Sequence, residues 1–249
     1  MTGRNAKTLW LMLAVAVALI WTFLPMYWVV KYAFMTKTEI ARFPPMLYPH
    51  QPNLASFFNI FGFDYTTAEG TVFKASGQAR QIILGLRNSL IVALVVTAIT
   101  TLVVVPLSYV FARLQFPFKG KLLAAILLSV SLPPVSTLIP FYTLYVQLGL
   151  TGTLFGLIVV TLTITIPIVA WMLIGFFRNL PPVELLARVD GFSRLYTLTR
   201  IIVPMAKSGI LVAGVIAFLF SWNEYVYAQI LVTGSTAVTL PAAMSGFLF

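Results

Sequence analysis

Cysteine is absent from this sequence, and histidine occurs only once, at His50. Without cysteine the chain cannot form disulfides, a thiolate metal site or a cysteine nucleophile. A single histidine argues against a histidine-based zinc site and against a Ser-His-Asp triad. These absences point away from metal and nucleophilic chemistry.

Charge is also scarce, since only 9% of the residues are charged, against about 25% in a soluble domain. The 249 residues are 60% hydrophobic, and the mean hydropathy is +0.97. So few charges cannot coat a water-soluble globule, and so many apolar residues are incompatible with disorder. The composition therefore predicts an all-α, polytopic bundle of transmembrane helices.

The distribution of long apolar runs predicts five spans. Residues 9–30 carry no charge and are long enough to cross a bilayer. The uncharged run 122–177 is 56 residues long, so it must fold back on itself near 147–152. We expect a terminal segment at 1–8, a first span at 9–30, a loop at 31–81, and a core at 82–249 with spans at about 82–112, 122–146, 153–177 and 208–231 and a loop at 178–207.

The basic residues orient these spans. Ten of the sixteen lie on the terminal segment 1–8, on the turn at 113–121 or within 178–207. Because short cytoplasmic loops carry the positive excess, we expect a cytoplasmic N-terminus, an extracytoplasmic loop at 31–81 and a cytoplasmic loop at 178–207. The net charge of +10 is thus topological, since its residues are scattered rather than gathered into a nucleic-acid-binding patch.

The loop at 178–207 predicts two short amphipathic helices. The first begins after Pro181-Pro182 and ends at Gly191, a residue type that terminates helices. Ser193 can cap the second. Leu185, Leu186 and Val189 share a face of the first helix, and this apolar stripe either binds a partner or packs back on the bundle.

At this loop the sequence resembles the permease subunits of bacterial ABC importers, the binding-protein-dependent transport system inner membrane components. It is most similar to their carbohydrate branch, which includes the shorter permease of the maltose transporter. The motif of this loop in the family is E-A-A-x-x-x-G, followed by nine residues and then I-x-L-P. The matching residues are Ala187, Asp190, Gly191, Ile202 and Pro204, and further family-like segments are Asn88-Ser89, 108–113, Leu132-Pro133-Pro134 and Trp222-Asn223-Glu224-Tyr225.

The sequence departs from the family pattern at two places. Leu185 stands where the motif has glutamate, and Glu184 lies one position earlier, so either the loop is shifted by one residue or the glutamate is replaced. The family also has a sixth span after the segment that resembles Thr239-Leu240-Pro241. We expect a chain that is truncated there or a protein that lacks this helix.

The resemblance implies a type I ABC importer permease fold and a role in sugar import into a bacterium across its inner membrane. The elbow in the inner loop would be the coupling helix that an ATPase subunit moves, formed by Glu184, Leu185, Leu186, Ala187, Val189, Asp190, Gly191 and Ser193. The implied partners are a second permease, two ATPase subunits and an extracytoplasmic sugar-binding protein. We expect no cofactor on this chain, which has no phosphate-binding Gly-rich motif ending in Lys-Ser/Thr, and ATP and Mg on the partner ATPase.

The substrate-path candidates surround Glu224, the only acidic residue within a predicted span. Asn223 and the rings of Trp222 and Tyr225 adjoin it, and such alternation of polar groups and aromatic faces suits a sugar. Asn88 and Ser89 are weaker candidates. The same residues can instead tie helices together, and both interpretations stay open here. The alternatives to a permease for a disaccharide or oligosaccharide are a permease for another small polar solute and a secondary transporter that works without ATP.

Overall fold

The computed structural model describes residues 2–67, 70–75 and 77–246, without the side chains of residues 2–6 and Pro134. The regular secondary structure of the described part is helical apart from one two-stranded antiparallel hairpin, as the composition predicted. The chain divides into two compact units, Met1–Arg80 and Gln81–Phe249.

The first unit contains one long helix followed by short elements. They are α1 (Thr2–Ala33), α2 (Lys37–Ile40), α3 (Ala55–Ile60), β1 (Tyr65–Thr66) and β2 (Val72–Phe73). Within α1 the stretch Lys7–Ala33 has a mean hydropathy of 2.2 and no buried residues in its most apolar window. A helix that is apolar on every side is typical of a membrane span.

The segment that follows α1 folds back onto the end of this helix. The Lys31 ammonium donates a hydrogen bond to the Met46 carbonyl at 2.7 Å and lies 3.2 Å from the centre of the Trp28 ring. The Tyr27 hydroxyl donates to the Leu47 carbonyl. These contacts fix residues 46 and 47 against the last turns of α1.

All regular secondary structure in the described part of the second unit is helical. Its elements are α4 (Ala79–Arg113, which begins two residues before the unit), α5 (Lys119–Ser131), α6 (Pro134–Gln147), α7 (Leu154–Arg178), α8 (Glu184–Val189), α9 (Arg194–Tyr196), a π-helical segment (Thr197–Ile202), α10 (Val203–Met205), α11 (Lys207–Trp222), α12 (Val226–Leu231) and α13 (Leu240–Ser245).

Four described stretches are long and apolar enough to cross a membrane, namely Lys7–Ala33, Ala79–Arg113, Leu154–Arg178 and Lys207–Leu231. A fifth span results if the bent pair α5 and α6 counts as one. The break between them lies at Leu132 and Pro133, where the backbone is extended. A residue before proline avoids the helical region, which explains why the helix stops at this Pro-Pro pair.

Two apolar cores stabilise the second unit, and α7 contributes to both. One core includes Leu157 and Val160 of α7 together with Val232, all fully buried. The other joins Phe177 of α7 to Ile202 of the π-helical segment. The second core therefore anchors the loop at 178–207 directly on a spanning helix.

Candidate functional site

Helix α8 has sharply defined ends. It begins two residues after Pro181-Pro182 and is followed by Gly191, whose φ of +82° lies in the left-handed region. The Gly191 N–H donates to the Arg188 carbonyl at 3.1 Å, and the Phe192 N–H donates to the Ala187 carbonyl at 2.9 Å. These two bonds form a Schellman motif, which satisfies the last carbonyls of the helix.

The chain re-enters helix immediately after this turn. The Ser193 hydroxyl accepts a hydrogen bond from the Tyr196 N–H at 3.2 Å, so Ser193 caps α9 as its position predicted. The Phe192 ring stacks on the Tyr196 ring with centroids 4.5 Å apart. Leu198 and Ile202 then enter the core beside α7. The elbow is therefore fixed at both ends.

The apolar stripe of α8 faces away from the bundle. Leu185, Leu186 and Val189 are 71%, 67% and 80% exposed, whereas Ala187 is buried at 3%. Leu195 of α9 is equally exposed at 71%. We call these four exposed residues the coupling surface, after the coupling helix that the resemblance to the permease family predicts here. Of the two interpretations that the sequence left open, packing of the stripe back on its own bundle is excluded within the described residues.

Glu184, the glutamate nearest to the motif position in this loop, forms an ion pair with another helix of the same chain. A Glu184 carboxylate oxygen lies 3.3 Å from Nε of Arg113, the last residue of α4. Arg113 also donates from its guanidinium to the Leu180 and Pro181 carbonyls at 2.5 and 3.3 Å. Arg113 therefore connects α4 to the loop just before α8. The sequence indicated only that Arg113 is an inner positive charge and belongs to the family-like segment 108–113, and its place directly after a predicted span was the available signal.

Asp190 lies at the C-terminus of α8 and is exposed. Its backbone N–H donates to the Leu186 carbonyl at 3.1 Å, which supports the turn before Gly191.

The described residues contain no group of three His, Cys, Asp or Glu side chains that could hold a metal ion.

A cavity of about 480 Å³ lies at the break between α11 and α12, and we call it the path cavity. Its walls include Thr161 and Thr165 of α7, Leu219 and Phe220 of α11, and the connecting residues Asn223, Glu224 and Tyr225. The structure thus brings together three of the predicted path residues on one concave surface, which also includes two threonine side chains.

Glu224 performs a structural task at this break as well. Its two carboxylate oxygens accept hydrogen bonds from the Tyr227 N–H at 2.8 Å and the Ala228 N–H at 3.0 Å. The first N–H groups of a helix have no partner within the helix, and a carboxylate is well suited to satisfy them. Glu224 therefore holds the start of α12 while lining the cavity.

The other polar lining groups are partly engaged. The Asn223 side-chain amide donates to the Leu219 carbonyl at 2.8 Å, which leaves its oxygen free of described partners. Thr161 and Thr165 donate to the carbonyls of Leu157 and Thr161, one turn back along α7. The cavity wall is consequently mostly apolar, with a few polar groups at fixed positions.

The remaining path candidates lie elsewhere. The Trp222 ring stacks on Phe218 at 5.7 Å and is not among the lining residues. Asn88 is buried, and its amide donates to the Thr236 and Val238 carbonyls at 2.9 and 2.8 Å. The Ser89 hydroxyl accepts from the Leu240 N–H at 2.8 Å. Asn88 and Ser89 therefore fasten α4 to residues 236–240, which end at the first residue of α13.

The chain belongs to the family of binding-protein-dependent transport system inner membrane components, whose match covers residues 89–249. The resemblance seen in the sequence is thereby confirmed. The match begins at Ser89 and includes α8, the coupling surface and the path cavity.

Individual relatives are similar over much of their length. The permease protein SmoH of the sulfoquinovosyl glycerol transport system of Agrobacterium fabrum is 28% identical over 233 residues, which are 93% of this chain and 76% of that protein. The permease protein SugB of the trehalose transport system of Mycobacterium tuberculosis is 33% identical over 161 residues, 64% of this chain and 59% of that protein.

A solved structure shows the same fold. It is the crystal structure of a bacterial ABC transporter involved in the import of the acidic polysaccharide alginate, in which one chain matches with a TM-score of 0.77. The sequence identity is 16%, and the match covers 99% of this chain and 82% of that chain. The predicted all-α permease fold is therefore confirmed.

Proposed function

We propose that this chain is the permease subunit that forms half of the translocation pathway of an ATP-driven sugar importer. The observation that carries the proposal is the coupling surface, an exposed apolar stripe on a helix fixed by a Schellman motif and an ion pair. An exposed apolar patch on a rigid element is typical of an interaction site. Membership of the permease family supports an ATPase subunit as its partner.

In this proposal the energy source lies on other chains. Two copies of a cytoplasmic ATPase bind ATP and Mg, this chain binds no cofactor, and a second related permease completes the path. An extracytoplasmic binding protein delivers the sugar. The N-terminus is cytoplasmic, and residues 31–81 lie on the outer side of the bacterial inner membrane.

The geometry supports a rigid-body switch as the mechanism. Closure of the two ATPases would carry α8 with it, through contacts to Leu185, Leu186 and Val189. The Arg113–Glu184 pair transmits this displacement to α4, and the core around Phe177 and Ile202 transmits it to α7. The permease pair would thereby alternate between inward-open and outward-open states.

The path cavity supports a small polar solute with apolar faces. A sugar has hydroxyl edges and apolar ring faces, which suit the free Asn223 oxygen and the exposed Tyr225 ring. The relatives that transport trehalose and sulfoquinovosyl glycerol support a saccharide. We infer a disaccharide or oligosaccharide of the maltose or trehalose type, with another small polar solute as the alternative.

A secondary transporter is the second alternative, and Glu224 argues against it. Ion-coupled transport requires ionisable groups in the membrane that bind and release the coupling ion. Glu224 is the one acidic side chain within the described spans, and both of its oxygens accept backbone hydrogen bonds of α12.

The test is co-purification of an ATPase with the chain and its dependence on the coupling surface. Leu186→Asp and Val189→Asp should each abolish ATPase capture, because a carboxylate would be desolvated in the apolar contact. Phe118→Asp is the matched control, since Phe118 is also an exposed apolar residue, 69% exposed, on the short turn between α4 and α5. Equal ATPase capture by all three variants would contradict the proposal.

A further inference from the structure

A second cavity lies in the first unit. Its volume is about 580 Å³, within the range of about 300–1,000 Å³ that small-molecule sites occupy. One wall is the β1–β2 hairpin, and the other comprises residues 36–38 and 51–53. We call this cavity the outer cleft.

The hairpin presents one of its two faces to the cleft. Tyr65 pairs directly with Phe73 across the strands, so their side chains lie on the same face. Thr67 follows Tyr65 by two residues and Thr71 precedes Phe73 by two, and the Thr67 N–H donates to the Thr71 carbonyl. Because side chains alternate between faces with a period of two, Thr67 and Thr71 share the face of Tyr65 and Phe73. All four residues line the cleft. Val72 lies on the opposite face and is 54% exposed. The wall is thus an aromatic pair flanked by two hydroxyl groups.

The opposite wall is held in place by Glu39. Its carboxylate accepts hydrogen bonds from the backbone N–H groups of Thr36 at 3.0 Å, His50 at 2.9 Å and Gln51 at 3.1 Å. Burial of this carboxylate opposes its ionisation, but these donors outweigh burial and hold the pKa of Glu39 below its ordinary value. Glu39 is therefore ionised at neutral pH and fixes the two segments of this wall relative to each other.

Several polar groups of the lining have no partner within the described chain. They are the Lys37 ammonium, the Gln51 side-chain amide and the hydroxyls of Tyr65 and Thr71, all of which can donate hydrogen bonds. Lys37 is the only charged side chain among the described lining residues. Convergent unpaired donors beside aromatic rings match a ligand with many hydroxyl oxygens and apolar ring faces.

We propose that the outer cleft is a saccharide-binding site separate from the path cavity, with Tyr65 and Phe73 contacting sugar ring faces and Gln51 and Lys37 donating to sugar oxygens. The cleft can bind neutral sugars. Its single cation, Lys37, also allows it to bind a sugar that carries a carboxylate. The choice of a saccharide rests on the proposed function.

The absence of cysteine from the chain allows a direct test, because one introduced cysteine gives a site-specific signal. Thr38→Cys places a thiol in the cleft lining, and Val72→Cys places one on the opposite face of the hairpin as a matched control. The full chain, assembled with its transporter partners, is labelled with a membrane-impermeant maleimide in trehalose, in maltose, or in glycerol at equal osmolarity.

Sugar at twice its dissociation constant should slow labelling of Thr38→Cys about three-fold, since the free fraction falls as 1/(1 + [L]/Kd). Labelling of Val72→Cys should not change. Adding Tyr65→Ala to Thr38→Cys should remove the protection. If Thr38→Cys does not assemble, Thr71→Cys reports on the same cleft from its hairpin wall.

Two results would overturn the proposal: equal labelling with sugar and with glycerol, or protection that appears only when the sugar-free binding protein is added. The second result would identify a protein-docking surface instead. Uptake of radiolabelled sugar by the same preparations separates the two proposals. Sugar uptake without protection overturns the outer cleft alone, whereas an assembled transporter that imports no saccharide overturns the proposed function.

Discussion

The Nε atom of Arg113 lies 3.3 Å from a carboxylate oxygen of Glu184, and this ion pair joins the last residue of α4 to the first residue of α8. It is the one ion pair within the described part of the chain. The two side chains are only 11% and 22% exposed, so water weakens the attraction less than at an open surface. Glu184, which lies one position before the glutamate of the family motif, therefore forms an ion pair within its own chain. The exposed apolar residues of the coupling surface remain available to a partner.

Loss of Arg113 should uncouple ATP hydrolysis from uptake. Arg113→Ala leaves Glu184 unpaired and removes donors from the Leu180 and Pro181 carbonyls, a cost of about 1–3 kcal/mol. The measurement is sugar taken up per ATP hydrolysed in proteoliposomes. We expect this ratio to fall while ATPase binding persists, because the coupling surface is unaltered.

The reversed pair provides the check on this prediction. Arg113→Glu combined with Glu184→Arg restores opposite charges but not the carbonyl bonds, so the uptake ratio should recover in part. Arg178→Ala is a control at an exposed basic residue that ends another spanning helix, α7. A ratio as low in the control as in Arg113→Ala would refute a specific role for the pair.

Gly191 should tolerate asparagine but not valine. Its φ of +82° is strained for a β-branched residue by about 1–3 kcal/mol, whereas asparagine enters this region more readily. A Cβ atom would meet no other atom within 4 Å, so the backbone and not crowding decides the outcome. Gly191→Val should lower uptake about ten-fold, the change that a strain of ~1.4 kcal/mol produces.

The measurement compares sugar uptake and assembly of the transporter complex between the Gly191→Asn and Gly191→Val variants. Gly175→Val is a further control, since Gly175 is also open to space but has ordinary helical geometry. If the Gly191→Val variant transports sugar as fast as the Gly191→Asn variant, the turn at Gly191 does not set the orientation of α8.

Removal of the Glu224 carboxylate should destabilise the break between α11 and α12. Glu224→Ala leaves the Tyr227 and Ala228 N–H groups without their acceptor, at a cost of about 1–3 kcal/mol. Glu224→Gln keeps one acceptor oxygen and should lie between the two. The thermal midpoint of the purified chain in detergent measures this effect.

Asn223→Ala is the matched control beside it, because the only described bond of the Asn223 side-chain amide is to the Leu219 carbonyl in the last turn of α11. We expect its thermal midpoint to stay near that of the unaltered chain while sugar uptake falls. A stable Asn223→Ala with full uptake would remove Asn223 from the path, and an unchanged midpoint in Glu224→Ala would contradict the capping role.

Sequence chemistry predicted the features that depend on near neighbours. The scarcity of charge predicted the membrane-spanning class, because so few charged residues cannot coat a soluble fold. Gly191 and Ser193 predicted the turn after α8, because left-handed geometry and side-chain capping are properties of one or two residues. These requirements hold whatever the rest of the chain does.

Features that depend on distant parts of the chain were not predictable in the same way. Asn88 bonds to the Val238 carbonyl 150 residues later, and Ser89 bonds to Leu240 151 residues later, so their tying role required the tertiary structure. The break after Trp222 has no proline or glycine within residues 223–225 to mark it. Only the folded arrangement shows that Glu224 caps α12 there.

Two spanning helices, α7 and α11, approach each other closely at Gly209. Gly209 of α11 faces Phe176 of α7, and a Cβ atom at position 209 would lie 2.5 Å from Cδ1 and 2.6 Å from Cε1 of that ring. Small residues permit such approaches between membrane helices. Gly209→Ala should therefore force the ring or the helix to move and lower stability by about 1–3 kcal/mol.

Gly214 on the same helix supplies the control, because a Cβ atom there would lie 3.8 Å from Thr101 and 3.9 Å from Thr97, which is ordinary contact. Gly214→Ala should leave the thermal midpoint unchanged or raise it slightly, since alanine favours helix over glycine. Phe176→Leu combined with Gly209→Ala should recover part of the loss, because a smaller side chain gives the new methyl group space. Equal midpoints for the two glycine variants would show that α7 and α11 do not approach as closely at this point as the structure indicates.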